Sequence, residues 1–142
     1  MARARDILPL LSALAFLSAC STFGPVGGEK PVFSQVGLAS WYGRHHQGHR
    51  TASGERFDMR ELTAAHRTLA FDTVVRVTRL DTGRTVTVRI NDRGPFERGR
   101  VIDLSAAAAR TLGIAEEGEA EVRIEEFPSD QPRGAGQEVA AE

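Results

Sequence analysis

The stretch Arg89–Ser105 reads R-I-N-D-R-G-P-F-E-R-G-R-V-I-D-L-S. It leaves an alternating pattern, Thr85-Val86-Thr87-Val88-Arg89-Ile90, turns through Gly94-Pro95, passes Gly99 and returns to the apolar pair Val101-Ile102. Such a pattern predicts two strands joined by a loop. A carboxylate follows each apolar stretch, Asp92 after Ile90 and Asp103 after Ile102. A polar residue at a strand end can face a cleft while its strand stays in the core. Two carboxylates joined by one loop suit acid–base chemistry on a glycoside or an ester. They equally suit a turn that aspartates brace by accepting backbone N–H groups.

Working outward, Val74–Thr78 alternates as Thr85–Ile90 does, and Asp81-Thr82-Gly83 between them is hairpin chemistry. Gly37–Gly43 reads as a short strand ending in Trp41 and Tyr42, Arg44–Ser53 as a polar loop, and Asp58–His66 as a segment with a helical turn. Ser105 is placed to cap a short helix over Ala106–Leu112, with Gly113 as its left-handed stop. Glu119–Glu125 alternates again, with Val122 and Ile124 on one face. Several short strands and one short helix in about 90 residues predict a small closed barrel, which leaves no exposed edge and compensates for a modest core.

The N-terminus reads as a targeting segment. Arg3 and Arg5 precede the apolar run Ile7–Ala19, too short to span a bilayer comfortably. The run ends in Leu17-Ser18-Ala19-Cys20, which resembles the lipobox of bacterial lipoproteins. The resemblance implies cleavage before Cys20 and acylation of its thiol and amine, and two or more chains anchor stably. Ser21, rather than aspartate, after the cysteine suggests the outer membrane, periplasmic face. Ser21 to about Val36, with Gly24-Pro25, Gly27-Gly28 and Pro31, reads as a tether. Extended, it reaches at most roughly 50 Å. The expected organisation is a signal peptide over 1–19, acylated Cys20 and linker to 36, a domain over 37–127, and a disordered tail over 128–142.

Composition adds limits. The formal charge of −1 gives no attraction for nucleic acid or an anionic surface. The single cysteine excludes an intrachain disulfide. His45, His46 and His49 have the spacing of a helical metal site, but Gly48 and the lack of an apolar face argue against a helix, so no metal and no cofactor is expected.

Five motifs occur in one order: G-L-A-S-W-Y-G at 37–43, T-A-S-G-E-R-F at 51–57, L-T-A-A-H-R-T-L at 62–69, V-R-I-N-D-R-G-P-F at 88–96 and G-R-V-I-D-L-S-A-A-A-A at 99–109. Together they resemble the RlpA, or rare lipoprotein A, family over about residues 37–126. The resemblance implies a mainly β fold, the six-stranded double-psi β-barrel. It implies an endolytic peptidoglycan lytic transglycosylase acting on glycan strands freed of stem peptides, or, in members that have lost activity, a non-catalytic envelope lipoprotein. The functional positions it implies are Glu55, His66, Asp92 and Asp103. The departures are the histidines in Arg44–His49, Ala70 and Asp72 where proline and glycine are common, and no counterpart of the peptidoglycan-binding SPOR domain, so septal recruitment by that route is not expected.

A lytic transglycosylase uses the sugar's own C6 hydroxyl in place of water, so one carboxyl group can act as acid and then base. A hydrolase typically needs two carboxylates. The resemblance favours Asp103 as the acid, because its D-L-S context is similar to the general-acid position of family 45 endoglucanases and MltA, with Asp92 second. A general acid needs apolar or like-charged surroundings to keep its proton. Val101, Ile102, Leu104 and Asp92 would supply these, and Arg93 and Arg100 would oppose them. Glu55 fits an oxocarbenium-stabilising or sugar-binding role, and His66 a donor to substrate or an orienter of a carboxylate. Trp41, Tyr42 and Arg93 are the candidate sugar contacts.

Overall fold

The computed structural model describes residues 28–133. The signal segment, Cys20 and the tail beyond 133 lie outside the described residues. Six strands close a barrel: β1 (Phe33–Trp41), β2 (Thr63–Ala65), β3 (Val74–Arg79), β4 (Thr85–Asp92), β5 (Arg100–Leu104) and β6 (Ala120–Glu126). Their order around the barrel is β1-β5-β2-β4-β3-β6. β1 runs parallel to β5 and β2 parallel to β4, while the other four pairings are antiparallel.

Alternation in the sequence becomes inside and outside here. Val75, Val77, Val86, Val88, Ile90, Ile102, Leu104, Val122 and Ile124 point into the core and are almost wholly buried. Each such side chain contributes about 1.5–3 kcal/mol by leaving water. Helix α1 (Ala106–Leu112) closes over the barrel through Ala108, Ala109 and Leu112. Its cap is the expected one: Ser105 Oγ accepts the Ala108 N–H, and Gly113 ends the helix at φ 79°. The hairpin around Gly83 also forms.

Three segments differ from the sequence reading. β1 begins at Phe33, inside the stretch read as tether, because Phe33–Ala39 pairs residue for residue with β6. Asp58–His66 contains a single turn, with the Glu61 N–H on the Asp58 carbonyl at 3.1 Å, and then a strand that the sequence reading did not include: Thr63, Ala64 and Ala65 are all buried and bridge β4 and β5. The start of the expected tail is docked. Asp130 pairs with Arg76 at 2.5 Å, and the Gln131 amide bonds both the N–H and the carbonyl of Val74.

Asp72, at the position where glycine is common, adopts φ 69°. Aspartate tolerates the left-handed region better than most residues, and its Oδ1 accepts from Arg89 at 3.0 Å.

Candidate active site

Strand β2 sets the geometry. Ala65 is paired with Asp92 of β4 on one side and with Asp103 of β5 on the other. Adjacent strands lie about 4.8 Å apart, so the two aspartate backbones stand roughly 10 Å apart at one level of the barrel. The loop 93–99 joins their strands above that level.

The two carboxylates keep different company. Asp92 Oδ1 accepts the backbone N–H groups of Ala52 at 2.9 Å and Arg93 at 2.8 Å. No cation touches it among the described residues: the Arg93 guanidinium turns away, donates to the Leu69 carbonyl at 2.9 Å and lies over the Phe71 ring. Asp103 Oδ1 accepts from Arg100 at 2.5 Å and from the Ser40 hydroxyl. Arg100 also donates to Ser40 Oγ and pairs with Glu97 at 2.7 Å.

Glu55 reaches the site from the loop before β2. Arg89 donates to both of its oxygens, at 2.9 and 3.1 Å, and the Asn91 amide donates to Oε1 at 2.6 Å. The Arg89 bonds above all, and Asn91 beside them, hold the Glu55 carboxyl below the ordinary glutamate range. It is therefore an anion at neutral pH and has no proton to give. Arg89 and Asn91 reach it together because they alternate on the outer face of β4.

His66 is 2% exposed. Its Nδ1 accepts the N–H groups of Thr68 and Leu69, at 3.2 and 3.1 Å. Nε2 therefore carries the proton and donates to Gln35 Oε1 at 2.9 Å. Burial first, then the charges of Arg93 and Arg67, depresses its pKa below the ordinary imidazole value. The result is a neutral ring with both nitrogens occupied. Its backbone N–H bonds the Asp92 carbonyl at 3.1 Å, which ties the strand end carrying Asp92 to β2. His66 and Arg100 share a cleft with Phe33, Gln35, Arg67 and Val101.

Tyr42 packs its ring against Phe57, with centroids 4.7 Å apart, and against His46 at 5.1 Å. Its hydroxyl is buried without a hydrogen-bond partner among the described residues. Burial, then the charges of Asp92 and Asp103, pushes this phenol well above the ordinary tyrosine range. It remains a protonated donor near two carboxylates. Trp41 is partly buried and packs against the core. The exposed aromatic near the site is Phe96.

The structure thus brings Asp92, Asp103 and Tyr42 together, with Glu55 on the flank and His66 behind. Residues that the motifs alone did not single out are Ser40, Gln35, Arg89, Asn91 and Phe96. For Arg89 and Asn91 the two-residue spacing was a usable signal; Ser40 and Gln35 act across more than 30 residues of chain. His45, His46 and His49 are exposed, and among the described residues no three histidine, cysteine or carboxylate side chains converge as a metal site.

Comparison with known proteins agrees with this architecture. Residues 34–124 match the family model described as lytic transglycolase, with the double-psi β-barrel fold. The endolytic peptidoglycan transglycosylase RlpA of Vibrio cholerae is 51% identical over 100 residues, 70% of this chain and 38% of that protein. The probable endolytic peptidoglycan transglycosylase RlpA of Synechocystis is 61% identical over 122 residues, 86% of this chain and 37% of that protein. The chain thus spans under two-fifths of the length of these two relatives. Among solved structures, the Streptomyces papain inhibitor superposes with a TM-score of 0.53 at 22% identity, over 69% of this chain and 97% of that one. An expansin of Clavibacter michiganensis in complex with cellohexaose superposes with a TM-score of 0.51 at 22% identity, over 65% of this chain and 49% of that one. These two share the fold. With the barrel, the five motifs and the family match in agreement, the chain belongs to the RlpA family of lytic transglycosylases.

Proposed function

We propose that this domain cleaves peptidoglycan glycan strands as an endolytic lytic transglycosylase, breaking the bond from N-acetylmuramic acid to N-acetylglucosamine without water. The observation that supports this most is the pair of unequal aspartates flanking Ala65. Asp92, which no cation touches among the described residues, leaves Oδ2 free of hydrogen bonds there and is the side chain best suited to carry the transferable proton. That exchanges the roles expected from the motif context of Asp103. Asp92 gives its proton to the leaving O4 as the C1–O4 bond breaks. As a carboxylate it then takes the proton of the C6 hydroxyl while O6 bonds to C1, so that it ends as it began. The product is a 1,6-anhydromuramic end. Asp103, held by Arg100 and Ser40, and Glu55, held by Arg89 and Asn91, are fixed carboxylates for the positive charge that develops at C1. His66 and Arg93 act through the backbone around Asp92 and Leu69.

The further parts of the reading rest on the sequence. Strands poor in stem peptides are the proposed substrate, as the family resemblance implies, and acylated Cys20 is the proposed anchor at the periplasmic face of the outer membrane. A second reading, a glycan-binding lipoprotein without activity, draws on the ion pair that occupies Asp103 Oδ1. Digestion of purified sacculi separates the two: the enzyme releases anhydromuramic ends, while the binder sediments with sacculi and releases nothing.

A further inference from the structure

Phe96 sits on the loop between the two aspartates and is 82% exposed, the most exposed of the large apolar side chains among the described residues. Exposing so large an apolar surface gains nothing for folding. The loop that carries it is nevertheless held firmly. One guanidinium, that of Arg67, donates to two of its carbonyls, Pro95 and Glu97 at 2.8 Å, and to that of Arg100 at the start of β5 at 3.3 Å. Arg67 leaves β2 two residues after Ala65, so the strand that separates Asp92 from Asp103 also anchors the loop. At the other end, Arg93 is fixed to the Leu69 carbonyl. The ring lies alongside Gly94, whose φ of 119° favours glycine: a Cβ built there would be 3.6 Å from Phe96 Cε2, an ordinary contact distance. The ring therefore stands two residues from Gly94 and four from Asp92, on a loop held from both sides.

We propose that Phe96 is a substrate-binding platform, on which a pyranose ring of the glycan stacks beside the bond presented to Asp92 and Asp103. The chemistry is that of an aromatic face, whose partial negative charge meets the slightly positive C–H edge of a sugar. Trp41 and Tyr42 are less open than Phe96, since Trp41 is partly buried against the core and Tyr42 packs against Phe57 and His46. The inference rests on the proposed function for the identity of the glycan, but its binding arm is independent of catalysis.

The test compares the full-length protein with its Phe96→Ala and Phe96→Trp variants. Cosedimentation with purified sacculi reads binding, and formation of anhydromuramic ends against glycan concentration reads turnover. Phe96→Ala should raise the half-saturating glycan concentration about tenfold, leave maximal turnover within a few-fold and leave the melting temperature unchanged. Phe96→Trp should retain binding. Unchanged cosedimentation and half-saturation in Phe96→Ala would overturn the proposal. So would a fall in binding that tracks a fall in melting temperature. If the wild type binds sacculi but forms no anhydromuramic ends, the catalytic reading fails while cosedimentation still decides the role of Phe96.

Discussion

Asp92 and Asp103 occupy equivalent places on either side of Ala65, and their neighbours distinguish them. Arg100 supplies a cation to Asp103, whereas among the described residues Asp92 has only backbone N–H donors, both on one oxygen. Asp103→Asn should therefore reduce turnover without abolishing it, by about 10²–10³-fold for the loss of one preorganised charge. Its melting temperature should fall as well, because Arg100 loses a partner. Tyr42 makes a different forecast. A buried hydroxyl without a partner typically costs about 1–3 kcal/mol, so Tyr42→Phe should melt at the same temperature or higher. If the phenol steadies the charge on the aspartates, that stabler variant should still turn over several-fold more slowly. Thermal unfolding and initial rates on one preparation check both halves. His66 sets a pH dependence. Its folded pKa lies below the ordinary value of about 6.5, so the unfolded chain binds the proton more readily. The stability it contributes is present above about pH 6.5 and is lost as pH falls toward the folded value. Melting temperatures between pH 7.5 and 5 should decline in the wild type, and less steeply in His66→Gln.

At the scale of elements, two small residues hold large ones. Ser105 is fully buried, caps α1, donates to the Glu61 carbonyl at 2.5 Å and accepts the Thr63 N–H at 3.4 Å. Ser105→Ala should lower stability by about 1–2 kcal/mol, at the upper end for a cap because three contacts go together. Gly37 lies on β1 beside the start of its parallel neighbour β5, and an added Cβ would sit 2.4 Å from Val101 Cγ1. Gly37→Ala should cost roughly 1–3 kcal/mol by overpacking; chemical denaturation checks both variants. Elements whose pattern is local were legible in the sequence: β3, β4 and β6 alternate, and α1 carries its own cap and stop. β2 was not, because Thr63-Ala64-Ala65 is buried throughout and has no period to detect. Nor was the docking of Asp130 on Arg76, a contact between residues 54 apart. The candidate site divides similarly. The local pattern marked Asp92 and Asp103 as strand-end carboxylates, and the family motifs added Glu55 and His66. Partners that act across the barrel, Ser40, Gln35 and Arg67, follow from strand order, which spacing does not encode.

At the scale of the whole molecule, a closed barrel is joined to the proposed lipid anchor at Cys20, which would hold the domain close to a membrane. Cys20→Ser should move the protein into the soluble periplasmic fraction, and persistence with membranes after a salt wash would remove the lipobox reading. The barrel is the part that the family model covers, residues 34–124. The most direct measurement is mass spectrometry of the ends released from purified, peptide-stripped glycan strands by the wild type and by Asp92→Asn. The wild type should yield 1,6-anhydromuramic ends, and a folded Asp92→Asn should show at least the roughly 10²–10⁴-fold reduction that loss of a general acid brings. Free reducing ends from the wild type, or near wild-type yield from Asp92→Asn, would contradict the proposed mechanism.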